Sequence, residues 1–240
     1  MVYSNGTLSQ NYTGNLDRID SDYKSSPKGI KADGTVEING GKINVAVARS
    51  EGIESKSTLT INGGDVFVHS YDDAINSSSH LTINGGNVTV IATNNDGLDA
   101  NGNIYINGGC TMAFGAGAPE CGTDANSEQG FIVYFTGGNL LAVGGGNSVP
   151  TTSASTQAYV SCNLSASANT GIAVKSGSTE LASFTVPAEY GSTLSVTRPG
   201  GGPGGGCQGG AMLITAEGLS SGTSYIITCG SSTTTATAKQ

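Results

Sequence analysis

The chain has 240 residues, 38 of them glycine, with only 12% charged residues and a formal net charge of −8 at pH 7. An acidic chain of this kind is a poor partner for nucleic acid or an anionic membrane surface, and no apolar run approaches the length of about 18 residues that a membrane-spanning helix needs. The glycine content excludes a helical protein, while plentiful β-branched residues and the small net charge per residue argue against disorder.

Residues 1–28 carry no repeat and read as an irregular first coil or an N-terminal cap. Met1 is followed by neither the basic nor the apolar segment of a secretory leader, so a leader is expected to have been removed or never present. From residue 29 the chain restarts the same phrase again and again. The motif "NGG" stands at Asn39, Asn62, Asn84 and Asn107, in steps of 23, 22 and 23, and a degenerate copy follows at Thr136-Gly137-Gly138 after 29. A period this short predicts stacked coils rather than a globule. On each side of the glycine pair apolar residues alternate with period two: Leu59 and Ile61 then Val66 and Val68, Leu81 and Ile83 then Val88 and Val90. Period two means strands, and the glycines supply the positive φ of a sharp corner. A third apolar site, Ile53, Ile75 or Leu98, completes a unit of three short strands, one turn of a parallel β-helix. A leucine-rich repeat has a similar period, but "SSSH", "ATNND" and "DANGN" favour turns over its helical half. The fold class is therefore all-β, with 29–147 as the coils.

Strand-to-strand spacing of about 4.8 Å brings equivalent residues of successive coils side by side. Asn39, Asn62, Asn84 and Asn107 are then predicted to form a structural amide ladder. Residues 148–240 hold period-two runs without the 22-residue beat, and are expected to cap or to extend the solenoid, with a Gly-rich loop at 198–210 that lacks any phosphate-binding motif. Five cysteines, Cys110, Cys121, Cys162, Cys207 and Cys229, show no metal spacing; they allow at most two disulfides and fit isolated apolar residues equally well.

Counting from the glycine pairs puts Glu51, Asp73 and Asp96 in one column, with Asp124 as a fourth member, and Glu54, Asn76 and Asp99 in a second; Asp72 and Asn95 stand just before the first. Stacked carboxylates repel unless something neutralises them. Lys and Arg are absent from Ser57 to Val174, where eight acids occur. Ca²⁺ binds oxygens at about 2.3–2.6 Å, and twice that is close to one coil rise, so an ion between coils would reach carboxylates from both. The competing reading is a set of ordinary solvated turn residues, because Asp and Asn favour turns on local grounds. The absence of paired His or Cys speaks against zinc, and His69 and His80 read as surface residues. Phe67, Tyr71, Tyr105, Met112 and Tyr134 are candidates to stack on sugars, against the alternative of scattered exposed aromatics.

The stretches "DDAINSSSHLTINGGNVTV" and "NDGLDANGNIYINGG" resemble the tandem coils of a bacterial carbohydrate-binding β-helix family. That resemblance covers about half the chain. It implies a right-handed parallel β-helix like that of pectate lyases, calcium as cofactor, polysaccharide as partner and a secreted or cell-surface location. Carried over by motif, the implied metal residues are Asp72, Asp73, Asp96 and Asp99, with Glu51 and Glu54 at the earlier corner; Lys28 and Lys31 stand where acids would be at the first corner, and no ion is expected there. Three functions compete: a non-catalytic polysaccharide-binding module, which the reading favours, a calcium-dependent polysaccharide lyase with Arg49, Lys31 or Lys56 as base, and a structural surface fibre.

Overall fold

The computed structural model describes residues 2–4, 28–150, 155–191 and 211–240. Most of the predicted N-terminal cap at 1–28, the Gly-rich loop at 198–210 and Cys207 lie outside the described residues. A strand β1 (Val2–Ser4) precedes five windings, each of three strands. They are β2 (Ile30–Ala32), β3 (Val36–Ile38) and β4 (Lys42–Val47); β5 (Ile53–Ser55), β6 (Leu59–Ile61) and β7 (Asp65–Ser70); β8 (Ile75–Ser77), β9 (Leu81–Ile83) and β10 (Asn87–Ala92); β11 (Leu98–Ala100), β12 (Ile104–Ile106) and β13 (Cys110–Phe114); and β14 (Thr123–Ala125), β15 (Val133–Phe135) and β16 (Asn139–Gly144). The first strands of all windings pair in parallel as one sheet, called B here, the second strands as sheet C, and the third strands as sheet A. This is a β-solenoid.

The alternating pattern buries one side of each strand. Ile53, Ile75 and Leu98 stack in register, as do Leu59, Leu81 and Ile104, and Val68 and Val90; all are fully buried in a core that runs through the windings. The corner between sheets C and A depends on the second glycine of each pair. Gly64, Gly86, Gly109 and Gly138 all have positive φ, and a Cβ on Gly109 would lie 2.4 Å from the carbonyl oxygen of Gly86. No side chain fits between windings there.

Beyond residue 147 the chain caps the solenoid instead of adding a winding. In the coils, amides of one winding donate to carbonyls of the next, as from Gly97 to Cys121 and from Leu98 to Gly122. At the last winding Asn147 Oδ1 takes that place, accepting from Gly122 N at 2.8 Å and Thr123 N at 3.2 Å, and Ser148 Oγ accepts from Ala125 N at 3.0 Å. Ser155 Oγ does the same for Phe135 N at 2.9 Å. Sheet A is instead prolonged by β17 (Tyr159–Asn163) and by a later strand, β20 (Ala211–Thr215), in the order β16-β20-β17, with both pairings antiparallel.

The remaining strands, β18 (Gly171–Ser176), β19 (Thr179–Thr185), β21 (Ser224–Cys229) and β22 (Ser232–Thr237), form a four-stranded antiparallel sheet, D. Its inner residues Ile172, Val174, Phe184, Tyr225 and Ile227 pack on Ile91, Phe114, Leu141 and Val143, which point outward from sheet A. This second core corrects three expectations. Phe67 and Met112 are half-buried against it and do not form an open sugar platform, and His69, in register with Ile91, is buried and not a surface residue. Cys110, Cys121, Cys162 and Cys229 are all unpaired thiols.

Candidate functional site

Strand register on the outward side of sheet B, and at the corner that leads into it, decides which polar residues meet. The step Ile30, Ile53, Ile75, Leu98, Thr123 defines it. One residue on, Lys31, Glu54, Asn76, Asp99 and Asp124 form a column. Two residues before it stand Lys28, Glu51, Asp73, Asp96 and Cys121. Asp124 thus belongs with Asp99, not with Asp96 as counting from glycine pairs suggested. The fifth winding has extra residues on both sides of β14, including a 3₁₀ turn at Ser127–Gln129, so its glycine pair is no guide to register there.

The two ends of these columns differ in chemistry. At the first corner Lys28 Nζ lies 2.6 Å from Glu51 Oε2 and 3.8 Å from Glu54 Oε2. Glu54, almost fully buried, also has Lys31 Nζ at 3.7 Å and is bonded to Lys56 Nζ. Burial alone would raise the Glu51 pKa, but hydrogen bonds from Lys28 and Ser50 outweigh it and hold the carboxyl below its ordinary value. Glu51 and Glu54 are therefore neutralised by ammonium groups and leave the set of candidate metal ligands.

In the middle the acids are tied to amides. Asp73 Oδ1 accepts from the backbone N–H of Asp96 at 3.1 Å, and Asp96 Oδ1 accepts in turn from that of Cys121. Asn76 Nδ2 donates both to Asp73 Oδ2 at 3.0 Å and to Asp99 Oδ2 at 2.5 Å. Asn95 Nδ2 donates to Asp72 Oδ1 at 2.9 Å. Such bonds favour the charged carboxylate, yet burial wins. Desolvation lifts Asp73 and Asp96 to about 7, with repulsion from neighbouring acids adding to it. Asp99 rises to about 8 through desolvation and then the charges of Asp73, Asp96 and Asp124.

At the far end Asp96, Asp99 and Asp124 converge, each offering a carboxylate oxygen within 4.8 Å of the others. Desolvation raises Asp124 as well, against a hydrogen bond from Ser148 Oγ at 3.3 Å. Among the described residues no ammonium or guanidinium is paired with any of the three. An ion bound at about 2.3–2.6 Å accepts oxygens up to about 5 Å apart, so the donor set suits a hard divalent cation.

Asn39, Asn62, Asn84 and Asn107 form an exposed ladder in which Asn62 donates to Asn39 at 2.7 Å, Asn84 to Asn62 at 2.7 Å and Asn107 to Asn84 at 2.9 Å; Thr136 Oγ1 donates to Asn107 at 2.6 Å. On the outward side of sheet C the rings of Tyr105 and Tyr134 stack with centroids 4.8 Å apart and planes 15° from parallel. His80 meets Tyr105 and Phe131 in T-shaped contacts at 6.0 Å each. Tyr71 sits apart from this cluster, at the A–B corner beside Asp72. Reading the sequence missed Lys56 as a clamp on Glu54, and it missed Asn147 and Ser148 as stand-ins for a sixth winding. An Asn-Ser pair directly after the last coil was the available signal for these two.

A family model described as carbohydrate-binding domain-containing protein matches residues 1–74 and again residues 47–239. No curated protein and no solved structure matches the chain. The two family matches overlap and between them include all five windings and sheet D: the chain belongs to the family of carbohydrate-binding domain-containing proteins.

Proposed function

We propose that the protein is a non-catalytic polysaccharide-binding module, acting outside the cell, in which Asp96, Asp99 and Asp124 hold a calcium ion that also engages carboxylates of an acidic, uronate-bearing glycan. The observation that carries this reading is the convergence of three carboxylates that pair with no ammonium group among the described residues, in a chain that places lysines beside the equivalent acids two windings earlier. Asp73 and Asn76 adjoin the triad and orient Asp99 and the Asp96 backbone. A bound cation supplies positive charge that both relieves the repulsion among the acids and attracts a ligand carboxylate. A binding role is favoured over a lyase because two of the three candidate bases, Lys31 and Lys56, are committed to Glu54.

Calorimetric titration of the chelator-treated protein with CaCl₂ tests the proposal, followed by pull-down on an insoluble uronate polysaccharide. Wild type is expected to bind calcium and to be retained more strongly in its presence, while Asp99→Asn loses both effects. Equal calcium binding by Asp99→Asn, or retention indifferent to chelator, would overturn it.

A further inference from the structure

We propose that the outward side of sheet C carries a second glycan subsite, independent of metal, in which the Tyr105 ring face turned toward Thr82 stacks on the apolar face of a neutral pyranose. The proposal rests on the carbohydrate-binding reading, but not on the cation.

The outward column of sheet C runs Glu37, Thr60, Thr82, Tyr105, Tyr134. Small hydroxyl side chains thus give way to aromatic rings at one step. Tyr134 covers one face of Tyr105 in a near-parallel stack. The residue in register with Tyr105 on the other side is Thr82, too short to cover a ring. Windings repeat at about 4.8 Å, close to the thickness of a sugar ring, so a pyranose set above Thr82 would occupy the place of one further ring in the stack. Pyranoses with equatorial hydroxyls turn their axial C–H bonds toward such a face, which an electron-rich phenol attracts.

The surroundings hold this ring in place. Asn103 Nδ2 donates to the Tyr105 hydroxyl at 3.0 Å, and the His80 ring meets Tyr105 at 74°. His80 Nδ1 accepts from the Asn103 amide at 2.9 Å, which in the neutral imidazole puts the proton on Nε2, a donor suited to a sugar hydroxyl. Thr60 and Thr82 add half-exposed hydroxyls along the same column. Rigid amphipathic rings beside short hydroxyl groups match a ligand that is apolar on its faces and polar on its rim. Along β10, β13 and β16 the outer side of sheet A is taken up by packing against sheet D.

The test is titration with a neutral glucan oligosaccharide and a uronate oligosaccharide of equal length, each in chelator and in calcium. Wild type should bind the neutral oligomer equally in both buffers. Tyr105→Ala is expected to weaken that binding about tenfold, and Tyr105→Phe to retain it within about threefold. Thr82→Tyr leaves the Tyr105, Tyr134, His80 and Asn103 contacts in place and fills the space above Thr82 with a ring, so it should weaken binding as much as Tyr105→Ala while the melting temperature holds. Asp99→Asn should leave neutral-glucan binding untouched and remove only the calcium-dependent gain with the uronate. Unchanged affinity in Thr82→Tyr, or no binding of the neutral oligomer by wild type in chelator, overturns the subsite and leaves the cation reading to stand on the response of Asp99→Asn.

Discussion

Asp99 receives the amide of Asn76 on one side, has Asp124 in register on the other, and forms no ion pair among the described residues. Its pKa of about 8, and those of about 7 for Asp73 and Asp96, lie above an ordinary value of 3.8. Between pH about 4 and about 8 the folded, metal-free protein therefore holds more protons on these groups than the unfolded chain does. These groups are expected to make stability fall as pH rises through that window, by up to about 1.4 kcal/mol per pH unit for each proton of difference. Thermal melts in chelator from pH 5 to 8.5 should show the decline, and Asp99→Asn should make it shallower. On the proposed calcium site, added CaCl₂ is expected to reverse the trend at high pH, by about 2.7 kcal/mol at a hundredfold excess over its Kd. Asp96 is a poorer site for this test, since truncating it would also orphan the buried Cys121 amide. The acidic residues were legible in the sequence; their division was not. Whether a carboxylate meets a lysine or another carboxylate depends on register, and extra residues around β14 shift Asp124 by one column.

The glycine pair and the ladder beside it act as the repeating hinge of each winding. Period and alternation fixed these strands in advance because a buried side chain must recur every second residue and a corner needs positive φ at one place. The ladder's contribution is modest, since its side chains are exposed and water competes for them. Asn84 donates to Asn62 and accepts from Asn107, so Asn84→Ala removes two hydrogen bonds at once. A cost of about 1 kcal/mol is expected, read as a lower urea midpoint at unchanged slope. The inward serines were harder to foresee. Ser55 and Ser77 are fully buried, yet each hydroxyl donates to a corner carbonyl, at 2.9 Å to Thr58 and at 3.0 Å to His80. Such side chains look like turn polarity in the sequence and are satisfied only by the fold.

The described residues form two cores sharing one sheet, and only the first follows from the repeat. A trace of the second was present in the chain: Val90 and Ile91, and likewise Ala113 and Phe114, are consecutive apolar residues at strand ends, as expected where both faces of a sheet are covered. What covers the outer face could not be read, because sheet D joins two hairpins, β18–β19 and β21–β22, that lie far apart in sequence. Phe114 lies between the two layers, fully buried and 4.8 Å from the Tyr190 ring. Phe114→Ala should cost about 3–5 kcal/mol, measured by denaturant unfolding, and loosen the C-terminal layer along with the windings.

Roofing one side of a three-sided prism leaves two walls that no other described strand covers, and they meet along the ridge formed by residues 78–80, 101–103 and 126–132. The carboxylates look out from one wall and the tyrosines from the other. If both proposed subsites are used, a stiff polymer lying straight would press against only one wall at a time, whereas a pliant strand would fold over the ridge and grip both, so the bendability of the polymer, as much as its charge, would govern how firmly it is held.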